Sequence, residues 1–142
     1  MEEKNYPKNF YRGISNKDFI CNGMVLPSAF QFDEEIRDDG FKELSINWND
    51  DEGSIKILLD QVKANGKKQF NGGAAQLELH TVKMFLDSYI CNNGFSYERR
   101  EVPGNIYHGN LLVKGSMDKK IRSLISNGLA IVAGSNIISQ NE

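Results

Sequence analysis

Cysteine and histidine are scarce in this chain, which contains only two of each. Compact zinc motifs place such ligands roughly two to five residues apart, and none of the four has a partner at that spacing. The sequence therefore predicts no metal site, and no other pattern in it indicates a cofactor. The four residues are Cys21, His80, Cys91 and His108.

Long apolar runs are also missing. The longest clean run, Leu129–Ala133, falls far short of the roughly 18 residues that a membrane span needs. The chain opens on acidic and polar residues without an apolar leader, so we expect a cytoplasmic protein with no membrane contact. In that compartment Cys21 and Cys91 are expected to be reduced, and we interpret both as buried structural thiols.

Neither sign of charge dominates. The 17 basic and 19 acidic side chains leave a formal net charge of −2, and the isoelectric point is near 5.7. Nucleic-acid binding depends on neutralising many phosphates, so nucleic acid is an unlikely partner for this composition.

Apolar periodicity predicts a mixed α+β fold. Apolar residues alternate with polar ones over 44–48, the pattern of a half-buried strand, and recur with helical spacing from Ile55 to Val62, before a stop at Asn65-Gly66. We predict a single α+β domain over residues 10–138, with a flexible tail at 1–9 and a frayed end at 139–142. Its core is an antiparallel or mixed sheet of about five strands, with two or three helices packed on one face.

Turn signals divide the rest of the chain. Asn22-Gly23 predicts a tight hairpin, and Pro27–Phe30 is interpreted as an extended segment. A second hairpin is expected to turn at Pro103-Gly104. Helix ends are predicted at Asn92–Gly94 and Asn127-Gly128, which leaves Leu129–Ala133 open between strand and helix.

Three polar residues on predicted strands or restrained segments carry the functional prediction: Arg12, Ser28 and His108. A guanidinium and a positioned hydroxyl recognise carboxylate or phosphate groups, and an imidazole donates or accepts a proton near neutral pH. The simpler interpretations are an ion pair between Arg12 and an acid at a sheet edge, and a strand histidine bonded to a neighbour.

Tyr97 and Arg99 form a second candidate for ligand binding, because an aromatic ring and a cation can stack on and neutralise a nucleotide. Arg99 and Arg100 are adjacent on a predicted strand, so their side chains point to opposite faces and do not form one basic patch.

The order of four segments in this chain resembles that of a group of small uncharacterised bacterial proteins, which share three motifs in this order: Tyr-Arg, Pro-Ser-Ala-Phe and Pro-x-Asn-x-x-His. The resemblance covers Phe10 to about Leu129 and implies no activity, fold or cofactor. It groups Arg12, Ser28 and His108 as one constellation. The matching segments are Phe10–Ile14, Leu26–Phe30, Leu44–Trp48 and Pro103–Gly109.

No catalytic spacing is complete, so the leading hypothesis is a binding or interaction module for a partner protein or a small anionic ligand. Arg12 and Ser28 would hold the anionic group, and His108 would add a hydrogen bond. The alternative is a hydrolase or nucleotide-processing enzyme with His108 as base, Ser28 as nucleophile or water-orienting hydroxyl, and Arg12 as anion clamp. A third hypothesis is a structural or antitoxin-like subunit of a larger assembly, for which an oligomer is possible.

Overall fold

A computed structural model describes residues 6–88 and 95–140. Within these ranges the chain forms strands, three α-helices and two short 3-10 helices, Lys17–Phe19 and Pro27–Phe30. In chain order the strands and α-helices are β1 (Asn9–Gly13), β2 (Ile20–Cys21), β3 (Met24–Val25), β4 (Phe41–Trp48), α1 (Gly53–Asp60), β5 (Ala74–Glu78), α2 (Leu79–Asp87), β6 (Phe95–Arg99), β7 (His108–Lys114), α3 (Lys119–Ala133) and β8 (Ile137–Ile138).

One antiparallel sheet organises the domain, with strands in the order β6-β7-β4-β1-β5-β8. Strands β2 and β3 form a separate hairpin around Asn22 and Gly23, which both have positive φ angles, as that tight turn requires. The predicted α+β class and antiparallel sheet are confirmed, with six strands rather than about five.

One face of the sheet is apolar and is covered by α2 and α3. The alternating apolar residues of β4 lie on this face and are at most 2% exposed. Val82 and Leu86 of α2 and Ile125 and Leu129 of α3 pack against them. The period-two pattern over 44–48 therefore corresponds to a buried apolar face and a polar face of the strand. The β4 residues are Leu44, Ile46 and Trp48.

The centre of the apolar face requires a glycine at position 109. The indole Nε1–H of Trp48 crosses over Gly109 of β7 and donates to the carbonyl oxygen of Glu98, at 3.1 Å. A Cβ at position 109 would overlap both the indole nitrogen and that oxygen. Only glycine lets the ring reach across the strand.

Helix α1 packs on the opposite face of the sheet, where Leu58 contacts Tyr11 and Ala74. The prediction of two or three helices on one face therefore holds for α2 and α3, while α1 lies on the other. The helix predicted to continue to Asn65-Gly66 stops at Asp60, because Gln61 adopts extended backbone angles. The chain then turns back at Asn65-Gly66, and Val62 pairs with Lys68 in an isolated bridge.

Two further predictions about local structure are wrong. The segment Pro27–Phe30 is a 3-10 helix rather than extended, since proline is pre-organised for a first helical position. Asn127-Gly128 does not end a helix, and α3 runs on through Leu129–Ala133. A Cβ at Gly128 would overlap the ring of Phe85, so this glycine permits close packing of α3 on α2.

Both ends of the described chain make contacts. In the predicted flexible tail, Tyr6 packs against the rings of Trp48 and Tyr97, with centroids 4.8 and 4.9 Å away. In the segment predicted to fray, the Gln140 side-chain amide donates to the carbonyl oxygens of Leu59 and Phe70, both at 2.9 Å.

Of the two thiols predicted to be buried, Cys21 is exposed on β2, because the short hairpin presents it to solvent. Cys91 and the helix end predicted at Asn92–Gly94 lie outside the described residues. No helix within residues 6–88 and 95–140 is long and apolar enough to cross a bilayer.

Candidate functional site

Strands β1 and β4 separate partway along their length, and the side chain of Arg12 fills the opening. The two strands pair at Phe10 with Trp48 and at Tyr11 with Asn47. Beyond Tyr11, β1 no longer pairs with β4, and the Arg12 side chain supplies a hydrogen bond to β4 instead. Its Nη1 donates to the carbonyl oxygen of Ser45, at 2.8 Å. Arg12 therefore completes the hydrogen bonding of β4 where its neighbouring strand has turned away.

A second bond fixes Arg12 against the 3-10 helix Pro27–Phe30. The guanidinium Nε donates to the carbonyl oxygen of Ala29, at 2.9 Å. Three of the motif segments that carry the resemblance thus meet at one side chain, since Arg12, Ala29 and Ser45 belong to three different ones. Main-chain oxygens, not side chains, make both contacts.

Arg12 has no carboxylate partner within 4.0 Å among the described residues, unlike the sheet-edge ion pair considered above. Burial lowers the pKa of Arg12 to about 10, and the more distant charge of Asp33 opposes that shift only in part. The guanidinium is therefore protonated at neutral pH, and within the described ranges its charge faces carbonyl dipoles and the more distant Asp33.

A cavity of about 240 Å³ opens beside Arg12, between the polar face of the sheet and the segment that follows α1. Leu58, Phe70 and Val102 supply apolar wall, while Gly13 and Ile46 lie along its strands. No acidic side chain lines it in the described part of the chain. Its polar lining consists of Arg12, Ser45, Asn47, Gln61, Gln69, Asn105 and His108.

His108 lies at the start of β7, directly opposite Asn47 in the sheet register. Its Nδ1 is 2.8 Å from the carbonyl oxygen of Arg100. A carbonyl oxygen only accepts hydrogen bonds, so Nδ1 carries a proton, and in the neutral ring Nε2 is the acceptor. Nε2 makes no hydrogen bond to any described residue. The imidazole is thus oriented by the main chain with one nitrogen unused.

Asn47 and Asn105 form a rigid, buried amide pair at one side of the cavity. The Asn105 side chain donates to the Asn47 side-chain oxygen at 2.9 Å, and Asn47 donates back at 3.4 Å. Asn105 also accepts from the backbone N–H of Tyr107, which holds the turn leading into β7. These bonds fix the wall from which His108 extends.

Ser28 does not line this cavity, in contrast to the predicted constellation of three. It is exposed on the 3-10 helix, and the neighbouring residue Ala29 contributes the contact with Arg12 through its main chain. The structure therefore brings Arg12 and His108 to one cavity and leaves Ser28 outside it.

Tyr97 and Arg99 lie on the apolar face of the sheet, away from the cavity. The Tyr97 ring packs edge-on against Tyr6 and Trp48. The Arg99 guanidinium binds both carboxylate oxygens of Asp50, at 2.7 and 2.8 Å, and lies 5.3 Å from the centroid of the Tyr6 ring. Both side chains hold the amino-terminal segment and the 48–50 turn in place.

Sequence reasoning missed Gln61 and Gln69, the two glutamines of the cavity. Gln61 fell inside a predicted helix, and no local pattern marked Gln69. A backbone hydrogen bond from the Gln69 N–H to the Gln61 oxygen, at 2.9 Å, brings them side by side.

No group of three or more potential ligand side chains in the described ranges could hold a metal ion. Comparisons with protein-family models, with curated proteins and with solved structures find no match to this chain.

Proposed function

We propose that this protein is a binding module that holds a small anion in the cavity beside Arg12. The observation that carries the proposal is that, among the residues the structure describes, the charged guanidinium has no carboxylate partner and the cavity it lines has no acidic side chain. A charge that is partly removed from water is costly unless it is paired, and Arg12 is half-buried, so an anion entering this cavity would recover interaction energy that the free protein lacks.

The other lining groups suit the same role. His108 has an unused Nε2, and Gln61 and Gln69 have carboxamides with no hydrogen-bond partner among the described residues. Binding sites combine a few such groups with apolar wall, which Leu58 and Phe70 supply here.

A hydrolase using the same residues is less well supported. That mechanism needs a hydroxyl nucleophile close to the His108 base, and Ser28 is exposed outside the cavity. His108 is oriented by the Arg100 carbonyl, but the hydroxyl on this wall is that of Ser45, which no described base activates. Binding therefore requires fewer additional assumptions than hydrolysis.

Sodium acetate titrated into ¹⁵N-labelled protein tests the proposal, with sodium chloride as the reference salt. We expect saturable shifts of the Arg12 Nε–H and of the Gln61 and Gln69 side-chain amides. Arg12→Gln should weaken acetate binding at least about tenfold, because it removes the guanidinium charge from the cavity.

Arg122→Gln is the matched control. Arg122 is also half-buried and donates to a main-chain oxygen, that of Met117 at 3.3 Å, but it lies outside this cavity. It should leave acetate binding unchanged. If Arg12→Gln does not fold, His108→Ala keeps Arg12 and should still weaken binding severalfold. Shifts that do not saturate, or that are equal for chloride, would overturn the proposal.

A further inference from the structure

We infer that the ligand of this cavity is a small carboxylate that also carries a neutral carboxamide-like group. The inference rests on the proposed function and specifies its ligand. It follows from three properties of the cavity: its charge, the chemistry of its unused polar groups, and its size.

The charge favours a monoanion. Among the described residues that line the cavity, Arg12 alone has a side chain that is always ionised, and two of its three guanidinium nitrogens donate to Ala29 and Ser45. Only Nη2 has no acceptor among the described residues. A phosphate monoester carries a charge of about −1.5 to −2 near neutral pH, of which this cavity could balance only part. A carboxylate matches the one available cation.

The unused amides favour a second, uncharged group on the ligand. Gln61, which is half-buried, and Gln69, which is exposed, line the cavity, and their side chains have no protein partner among the described residues. Each carboxamide presents a donor and an acceptor, and its oxygen repels a carboxylate. A ligand group that both donates and accepts, such as another carboxamide, can satisfy both functions of a glutamine where a second negative charge cannot.

The size of the cavity limits the rest of the ligand. A volume of about 240 Å³ equals the liquid volume of roughly eight water molecules. A short carboxylate with a carboxamide fits within that space, whereas a whole nucleotide exceeds it. The Phe70 ring, which lies against the bare Cα of Gly13, closes one wall and leaves apolar surface for the chain joining the two groups.

Calorimetric and NMR titrations with four probes test this assignment: acetate, acetamide, succinamate and inorganic phosphate. Succinamate should bind about tenfold more tightly than acetate, because its carboxamide adds at least one hydrogen bond inside the cavity. Acetamide and phosphate should both bind more weakly than succinamate.

Gln69→Leu and Gln61→Leu separate the two ends of the ligand. Each should lower succinamate affinity by a larger factor than acetate affinity, so that the two affinities approach one another. Gln31→Leu is the control, since Gln31 is an exposed glutamine outside this cavity. It should change neither affinity.

The possible failures are distinct. If neither acetate nor succinamate binds, the proposed function is wrong. If acetate binds and succinamate binds no more tightly, the anion site stands and the carboxamide assignment is overturned. Phosphate binding more tightly than succinamate, or acetamide binding equally well, would overturn the monocarboxylate assignment.

Discussion

The two faces of the sheet are built from alternate residues of the same strands, yet they use their side chains in opposite ways. On β7, Gly109 points towards the apolar face, where any added atom would meet Trp48. Its neighbour His108 points towards the polar face and lines a cavity. One face is filled, and the other keeps open space beside groups with unused hydrogen-bonding capacity.

This difference indicates how the molecule divides stability from binding. The apolar face buries Phe10, Leu44 and Trp48 under α2 and α3, and burial of such side chains is the main favourable term in folding. The polar face is covered only in part, by α1 and the segments on either side of it. Changes on the first face should therefore reduce the free energy of unfolding, whereas changes to the polar residues that line the cavity on the second should mainly reduce ligand affinity.

The largest expected effect is that of Gly109→Ala, which places a methyl group where the Trp48 indole crosses β7. The indole must move, and its hydrogen bond to the Glu98 oxygen is lost. We expect the free energy of unfolding in urea to fall by about 3 kcal/mol, from overpacking and the lost bond together. His108→Ala, one residue away, should cost less than about 1 kcal/mol, because it removes one partly exposed bond.

A double-mutant cycle isolates the cause. In a Trp48→Phe background the indole nitrogen is already absent, so Gly109→Ala should destabilise the protein by clearly less than it does in the wild type. Equal losses in the two backgrounds would show that the glycine is required for some reason other than the crossing indole. The crossing indole would then no longer explain why the apolar face of β7 tolerates no added atom at Gly109.

The fold could be predicted because each face of β4 has a uniform character over residues 44–48. Leu44, Ile46 and Trp48 alternate with polar residues, and a one-residue shift of register would expose all of them. Gly109 and Gly128 could not be interpreted in the same way. Gly109 leaves space for Trp48, and Gly128 leaves space for Phe85. Both partners are distant in sequence, so no local pattern predicts these contacts.

The site was predictable only in part, for a related reason. Arg12 and His108 stand out because their chemistry is unusual on a strand. Ser28 was selected for its hydroxyl, but the 3-10 helix turns the main-chain oxygen of Ala29 towards Arg12. Gln61 reaches the cavity because the helix ends one residue before it. The packing of a short turn decides which of its atoms points inward, and the sequence pattern does not predict that packing.

An intermediate effect is expected for Gln140→Ala, which acts on the wall of the cavity. The Gln140 amide joins Leu59, near the end of α1, to Phe70 in the opposite wall segment. Its removal should lower the free energy of unfolding by about 1–2 kcal/mol. The Gln69 amide, bonded to Gln61, should exchange with solvent about tenfold faster. Ser139→Ala, at an exposed neighbouring position, should leave both quantities unchanged. Equal effects of the two variants would show that the two Gln140 hydrogen bonds are not what stabilises the wall.

The smallest expected effect concerns pH and the part of the polar face beyond the cavity. There Arg37 forms ion pairs with Glu98 at 2.8 Å and with Glu43 at 3.3 Å. Burial alone would raise the pKa of Glu98, but hydrogen bonds from Arg37 and Asn110 outweigh it and lower that pKa below its ordinary value. Because the lowered pKa belongs to the folded state, the stabilisation is complete above the unfolded-state pKa and is lost as the pH falls through the folded one.

Glu98→Gln should accordingly cost about 1 kcal/mol at pH 7 and flatten the loss of stability on acidification. Urea unfolding followed between pH 7 and 3 measures both quantities, with Glu101→Gln as the control at an exposed position that forms no ion pair among the described residues. Since Glu98 does not line the cavity, acetate affinity at pH 7 should be unchanged in the variant. If the free energy of unfolding of the variant depends on acid pH as that of the wild type does, then other carboxylates cause this dependence. A variant that loses acetate binding would mean that the Arg37 network supports the cavity, and the polar face would then act as one unit.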